Sequence, residues 1–297
     1  MTIALRTPLD DEVPALTALL ESHSRAAFGE RELDEDELRH WFTLPDVWMQ
    51  VAEQEGRLVG YADAVSRDDG TLVEVDVRTT DPDAAEALLS AVEAHARREA
   101  PGAVLRSYTQ GEEPALAGVF ERDGWVRVRH FFHMQIELAD EPAEPVWPDG
   151  MTVRTFRPGE EERVYETHAD AFADHWDFRR QSMEAWRHGG PDHPRFDPSL
   201  WWLAQDGGEL AGVALSRWHQ SGDPSFGWVD VLGVRPPWRR RGLGLALLLQ
   251  SFGEFGRRGA TRVGLGVDAE STTGAVSLYE RAGMQVVRRN DAYEKQA

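Results

Sequence analysis

There is no cysteine anywhere in the 297 residues, which excludes disulfides, thiolate metal ligands and a cysteine nucleophile on composition alone. Long apolar runs are missing too. No stretch approaches the roughly 18 apolar residues that cross a bilayer, so no membrane span is expected. The opening residues, Met1 to Arg6, alternate as a strand does and lack the charged-then-apolar pattern of a secretory signal, so a cytoplasmic setting is expected. Positive charge is scarce, with 32 Lys+Arg against 52 Asp+Glu and a formal net charge of −20. Duplex nucleic acid is therefore not expected as a partner, because binding it needs a basic surface that releases counterions. The shortage is uneven: residues 1–144 hold 13 basic and 31 acidic side chains, net −18, and the remainder is net −2. An acidic surface of this kind keeps a chain soluble, and it also attracts cationic small molecules.

A length of 297 residues suggests two compact units, and the sequence repeats itself accordingly. Val119-Phe120-Glu121-Arg122-Asp123-Gly124-Trp125 matches Leu278-Tyr279-Glu280-Arg281-Ala282-Gly283-Met284 at a spacing of 159 residues. Upstream, Arg57 to Ala62 matches Glu209 to Ala214, and Thr2 to Pro8 resembles Thr152 to Pro158, in the same order. Periodicity gives each half an opening strand, one or two amphipathic helices, three strands, a long helix, a strand, a short helix and final strands. In the second half these fall near 151–158, 160–175 with 180–188, 200–206, 209–219, 226–235, 243–258, 261–268, 273–282 and 284–295. Such an order implies an α/β (α+β) fold with a mixed central sheet flanked by helices in each half. Residues 141–150, with three prolines and a terminal glycine, read as a linker. The expected domains are 1–144 and 150–297.

The most specific stretch runs from Val229 to Gly244 and feeds the apolar helix Leu245-Ala246-Leu247-Leu248-Leu249. Pro236-Pro237 stops the strand, and Gly242 and Gly244 let backbone pass close to a ligand. A helix start presents unpaired N–H groups with partial positive charge, so the turn is an anion cradle that would suit a diphosphate, and Arg239-Arg240-Arg241 add positive charge.

Val234-x-Pro236-x-x-Arg239-x-x-Gly242-x-Gly244 resembles the coenzyme A-binding motif of the GNAT acetyltransferases, and Ala275-Val276-Ser277-Leu278-Tyr279-Glu280-Arg281-Ala282-Gly283-Met284 resembles that family's later helix. The resemblance implies two tandem GNAT-like domains, with acetyl-coenzyme A as co-substrate and no metal. It implies a splayed sheet in which Leu232, Gly233 and Val234 hydrogen-bond the pantetheine arm, while Arg239, Arg240, Arg241, Gly242, Leu243, Gly244 and Leu245 hold the diphosphate. Ser271 stands where the family often has Asn; it can cap the following helix. Tyr279 occupies the place from which a phenol protonates the leaving thiolate.

The ammonium of an acceptor must also lose a proton. Asp230 is the first candidate base, taken to share a face with Leu232 and Val234 at period two, and His175 is the alternative. Trp176, Trp186, Trp201 and Trp202 read as core and pocket wall. In the first half, Thr79-Thr80-Asp81-Pro82-Asp83 replaces the glycine-rich turn and Phe120 replaces Tyr279, so that half is expected to be non-catalytic. The tandem layout is similar to that of the mycothiol synthases, which acetylate a cysteinyl amine on an amino-sugar conjugate. The expected activity is N-acetylation of a primary amine on a small molecule, by a monomer or homodimer; a protein that only senses acyl-coenzyme A is the other reading.

Overall fold

A computed structural model describes residues 3–44, 47–67, 70–138 and 142–297. Thr2 of the expected opening strand and Glu141 of the expected linker lie outside the described residues. The chain forms two compact units: Met1–Phe131 with Gln220–Gly222 and Arg288–Ala297, and Phe132–His219 with Asp223–Val287. The mixed α/β order read from periodicity is the order that folds.

The first unit contains β1 (Ala4–Arg6), α1 (Val13–Phe28), α2 (Glu35–Thr43), β2 (Val47–Gln54), β3 (Arg57–Arg67), β4 (Leu72–Arg78), α3 (Pro82–Glu99), β5 (Val104–Gln110) and α4 (Pro114–Arg122). It also takes the start of β6 (Val126–Glu137) and, from Arg288 on, most of β12 (Gln285–Gln296). Its strands run β1-β2-β3-β4-β5-β12, antiparallel except for the parallel pair β4/β5. One face is apolar: Ala62, Ala64, Val73, Val75 and Leu105 pack on Leu88, Leu89 and Val92 of α3 and Phe120 of α4. Asp81 caps α3, its carboxylate accepting from the backbone N–H of Asp83 at 2.9 Å and Ala84 at 3.3 Å.

On the other face Asp63 and Asp76 stand directly opposite each other across β3/β4. Arg78 holds Asp76 at 2.6 Å and Glu32 at 2.7 Å. Burial, then the Asp76 charge, pushes the Asp63 carboxyl up to about 7. A folded pKa above the unfolded carboxylate value of about 3.9 means that stability is lost as pH rises through that interval. Asp63→Asn is therefore expected to raise the melting temperature more at pH 8 than at pH 5; an equal change at both pH values would show that Asp63 keeps an ordinary pKa.

The second unit takes β6 from Phe132 and contains β7 (Met151–Thr155), α5 (Glu161–Phe172), α6 (Met183–His188), β8 (Trp201–Asp206), β9 (Glu209–Trp218), β10 (Phe226–Val234), α7 (Leu243–Arg257), β11 (Arg262–Asp268) and α8 (Ala275–Arg281). Its strands run β6-β11-β10-β9-β8-β7, with β10/β11 parallel and β7 to β10 antiparallel. The apolar stripe of α7, from Leu243 and Leu247 to Phe252 and Phe255, is buried because it recurs at helical spacing. Gly227 makes room for that stripe, since a Cβ there would lie 2.6 Å from the Phe255 ring. The expected first helix stops at Phe172 rather than 175, and the second starts at Met183, where the Ser182 hydroxyl accepts from the Ala185 N–H at 3.1 Å. Among the described residues no helix is long and apolar enough to cross a membrane.

Candidate active site

The site grows from a divergence between two parallel strands of the second unit. β10 pairs with β11 only over Phe226–Trp228 and Arg262–Gly264, where Trp228 lies over the bare Cα of Gly264. Beyond this point β10 continues to Val234 and β11 to Asp268 without pairing with each other, so each offers backbone donors and acceptors to an extended ligand, the Val234 carbonyl excepted, which accepts from Arg239. On its other side β10 stays paired with β9 to Val234, but with a bulge between Val229 and Val231.

The bulge corrects one expectation. Directly paired residues share a face, and Asp230 is the extra residue. Leu232 and Val234 pair with Ala214 and Gly212 and pack toward α7 with Leu243 and Leu247, whereas Asp230 points to the face of its ion-pair partner Arg217, where Val231 packs with Leu215. Asp230 thus lies on the face opposite Leu232 and Val234, its two carboxylate oxygens each 3.1 Å from Arg217 Nε. Gly233 faces α5: a Cβ there would sit 2.9 Å from Ala171 Cβ and 3.3 Å from Phe172 Cε2.

After β10 the chain makes one 3-10 turn, Pro236–Trp238, with the Trp238 indole donating to Asp206 at 2.9 Å. Arg240 has φ +62° and Gly242 φ +86°, which turns the backbone into α7. The first turn of α7 has no side-chain cap, leaving its N–H groups free for an anion. The two glycines serve different ends. Gly242 supplies the left-handed conformation in open space, whereas Gly244 makes room for a neighbouring helix, a Cβ there lying 3.1 Å from Leu278 Cδ1 and 3.7 Å from Val234 Cγ2.

The three arginines also differ. Arg241 is exposed. Arg240 reaches α8, its Nη1 lying 3.6 Å from where a Cβ of Gly274 would be. Arg239 is engaged by the chain itself: it donates to the Val234 carbonyl at 3.0 Å, the Ala171 carbonyl at 3.0 Å and both carboxylate oxygens of Asp174. Its side chain is a brace between the loop and the end of α5, which leaves Arg240, Arg241 and the amides of Gly242 to Leu245 as the groups that could hold an anion. The partner of this brace, Asp174, lies 65 positions upstream, and no motif marked it.

Tyr279 sits on α8, buried among Val229, Leu265, Val267 and Met284. Its hydroxyl has no hydrogen-bond partner among the described residues, and burial pushes it up to about 12, so it is a protonated phenol at neutral pH. Ser271 does not cap α8. Its hydroxyl bonds Thr273 Oγ1 at 2.8 Å, and the helix begins later because Gly274, at φ +79°, is its N-cap. His175 follows the Arg239–Asp174 brace, its ring 4.3 Å from that of Phe172. Of the aromatics, Trp186 and Trp201 are core, packed with Phe156 and Tyr165.

Residues 161–284 match the Acetyltransferase (GNAT) family. The mycothiol acetyltransferase of Catenulispora acidiphila is 32% identical over 303 residues, covering 94% of both chains. That of Salinispora arenicola is 36% identical over 241 residues, covering 79% of this chain and 77% of its own. The crystal structure of a GCN5-related N-acetyltransferase from Sphaerobacter thermophilus aligns over 99% of this chain and 95% of its own with TM-score 0.83 and 30% identity. A tandem GNAT protein from the clavulanic acid biosynthesis pathway aligns over 99% and 98% with TM-score 0.80, and at 15% identity it shows the fold alone. The chain belongs to the GNAT family of acetyltransferases, a tandem-GNAT N-acetyltransferase.

Proposed function

We propose that the second unit takes acetyl-coenzyme A as donor and acetylates the primary amine of a small molecule by direct attack. The observation that carries this reading is the divergence of β10 from β11 after Trp228 and Gly264, with β10 leading through one 3-10 turn into an uncapped α7. These residues fit the donor: the free edge of Leu232–Val234 suits the amide-rich arm, and the amides of Gly242 to Leu245 with Arg240 and Arg241 suit the diphosphate. Acetyl-coenzyme A supplies the acetyl group as a thioester. Backbone N–H groups of the β10 edge polarise the carbonyl as negative charge develops on it. Tyr279 donates its phenolic proton to the departing sulfur, and its apolar surroundings keep that proton in place until then.

In the first unit Asp81 occupies the equivalent helix start and its carboxylate satisfies the N–H groups there, while Phe120 packs between Trp125 and Tyr293. We assign no transfer chemistry to that unit. The relatives named for mycothiol make its unacetylated cysteinyl amine the first acceptor to assay. In a panel of primary amines with acetyl-coenzyme A, thiol release should accompany an acetyl mass gain on one acceptor; acetyl-coenzyme A binding without thiol release for any amine would favour a sensor.

A further inference from the structure

The acceptor amine arrives as an ammonium, and the proton it must lose needs a recipient beside the divergent strands. Three observations converge on His175. First, it is one aromatic ring away from β10, on the face that Gly233 turns to α5: Phe172 Cε2 lies 3.3 Å from where a Cβ of Gly233 would be, and the His175 ring is 4.3 Å from the Phe172 ring. Second, it is within electrostatic reach of Asp268, the last residue of β11, the other arm of the divergence. Third, neither of its ring nitrogens has a hydrogen-bond partner among the described residues, although the ring is only partly exposed. A histidine kept for packing alone gains by bonding a ring nitrogen; this one keeps both nitrogens available.

The segment bearing His175 is an otherwise irregular turn, and the Arg239 brace fixes it. The guanidinium ties Val234, the last residue of β10, to the Ala171 carbonyl at the end of α5 and to Asp174, the residue before His175. Arg239 also holds the Asp174 carboxyl below the usual carboxylate range, so the brace stays ionised. Asp230, by contrast, has both carboxylate oxygens engaged by Arg217 on the opposite face from Leu232 and Val234.

We propose that His175 is the general base of the transfer and that Arg239 and Asp174 are positioning residues that hold it at the mouth of the β10/β11 divergence. This rests on the reading that the acyl donor lies in that divergence. In the step, an N–H bond of the ammonium breaks and its electron pair remains on nitrogen, while the proton passes to a ring nitrogen of His175. The amine nitrogen then bonds the acetyl carbon as the carbon–sulfur bond breaks, Tyr279 protonates the sulfur, and the nitrogen, cationic once bonded, gives up its second proton to solvent to leave the neutral amide. His175 afterwards releases its proton to solvent, to which it is partly open, and Tyr279 regains one.

The charged groups facing His175 are Asp174 and Arg239 of the brace, Asp268 of β11 and, on α5, His168, whose own pKa burial lowers to about 4. Burial lowers the His175 pKa, with Asp174 and Asp268 raising it and Arg239 lowering it. The test is the pH profile of kcat/KM with saturating acetyl-coenzyme A, alongside calorimetry of acetyl-coenzyme A binding. Wild type should show an acid limb below the ordinary histidine value of about 6.5. His175→Gln should lose that limb and fall about 10²- to 10⁴-fold in kcat/KM while binding acetyl-coenzyme A as wild type does. In a chain that keeps His175, Asp268→Asn should move the limb to lower pH, since it removes a charge that favours the imidazolium. His175→Ala should recover turnover with added imidazole. An unmoved limb in Asp268→Asn, an intact limb in His175→Gln, or a limb lost instead in Asp230→Asn would overturn the proposal. Failure of the wild type to bind acetyl-coenzyme A would instead overturn the donor reading beneath it.

Discussion

Calorimetry of acetyl-coenzyme A should give one site per wild-type chain and none for a Gly242→Asp, Gly244→Asp variant, a loss of at least about 100-fold in affinity, or ~2.7 kcal/mol. The two substitutions act by different routes. At position 242 the backbone is at φ +86° in open space, so an aspartate fits sterically but carries a left-handed cost of about 1–2 kcal/mol. Its carboxylate would then stand at the N-terminus of α7, where it satisfies the N–H groups a diphosphate would use and repels the diphosphate charge. At position 244 the new Cβ meets Leu278 and Val234, pushing α8 away from α7. Gly242→Asp alone separates the effects: it should abolish binding while leaving the thermal transition within a few degrees of wild type. Binding that survives both substitutions would place the donor outside this loop, and a second site per chain in the wild type would show that the first unit also binds it.

Tyr279→Phe should lower kcat by about 10²- to 10⁴-fold with acetyl-coenzyme A affinity and folding stability unchanged. The stability arm follows from the surroundings. The phenol is 7% exposed within an apolar cluster and has no hydrogen-bond partner among the described residues, and its hydroxyl is not among the buried unpaired atoms, so phenylalanine keeps the ring packing and removes no hydrogen bond within the protein. A residue kept for packing would show the opposite pattern, with turnover unchanged. Because the phenol is pushed up to about 12, it remains protonated across the ordinary assay range and should contribute no limb below about pH 10. A loss of kcat smaller than about tenfold would mean that another group protonates the sulfur.

Much of the site was legible before folding because its signals are local. The stop at Pro236-Pro237, the glycines at 242 and 244 and the apolar period of α7 are written within some twenty residues. The matched phrases ending at Trp125 and Met284 made the two-fold organisation visible, and the substitution of Asp81 and Phe120 in the first copy is equally local. Two details were misread for equally physical reasons. Alternation assigned Asp230 to the face of Leu232, but a bulge adds one residue and reverses the parity, and nothing in Trp228-Val229-Asp230-Val231 announces it. Ser271, standing where the GNAT family often has Asn, was expected to cap the helix, whereas Gly274 takes that role.

The sequence by itself determined the element order and the repeat, and it pointed to the proposed acyl-donor loop and proton donor, since each depends on residues within a few turns of one another. Only the tertiary structure decided which strand completes each unit. Residues 126–137 and 285–296 alternate in a way that suits either neighbour, and pairing energy between distant strands places Phe132 onward in the second unit and Arg288 onward in the first. Tertiary structure also decided what each arginine of the triplet does. Arg239 has a charge that any anion would satisfy, and it is the arrival of Ala171 and Asp174, brought in because Gly233 lets α5 lie against β10, that turns it from a ligand candidate into a brace.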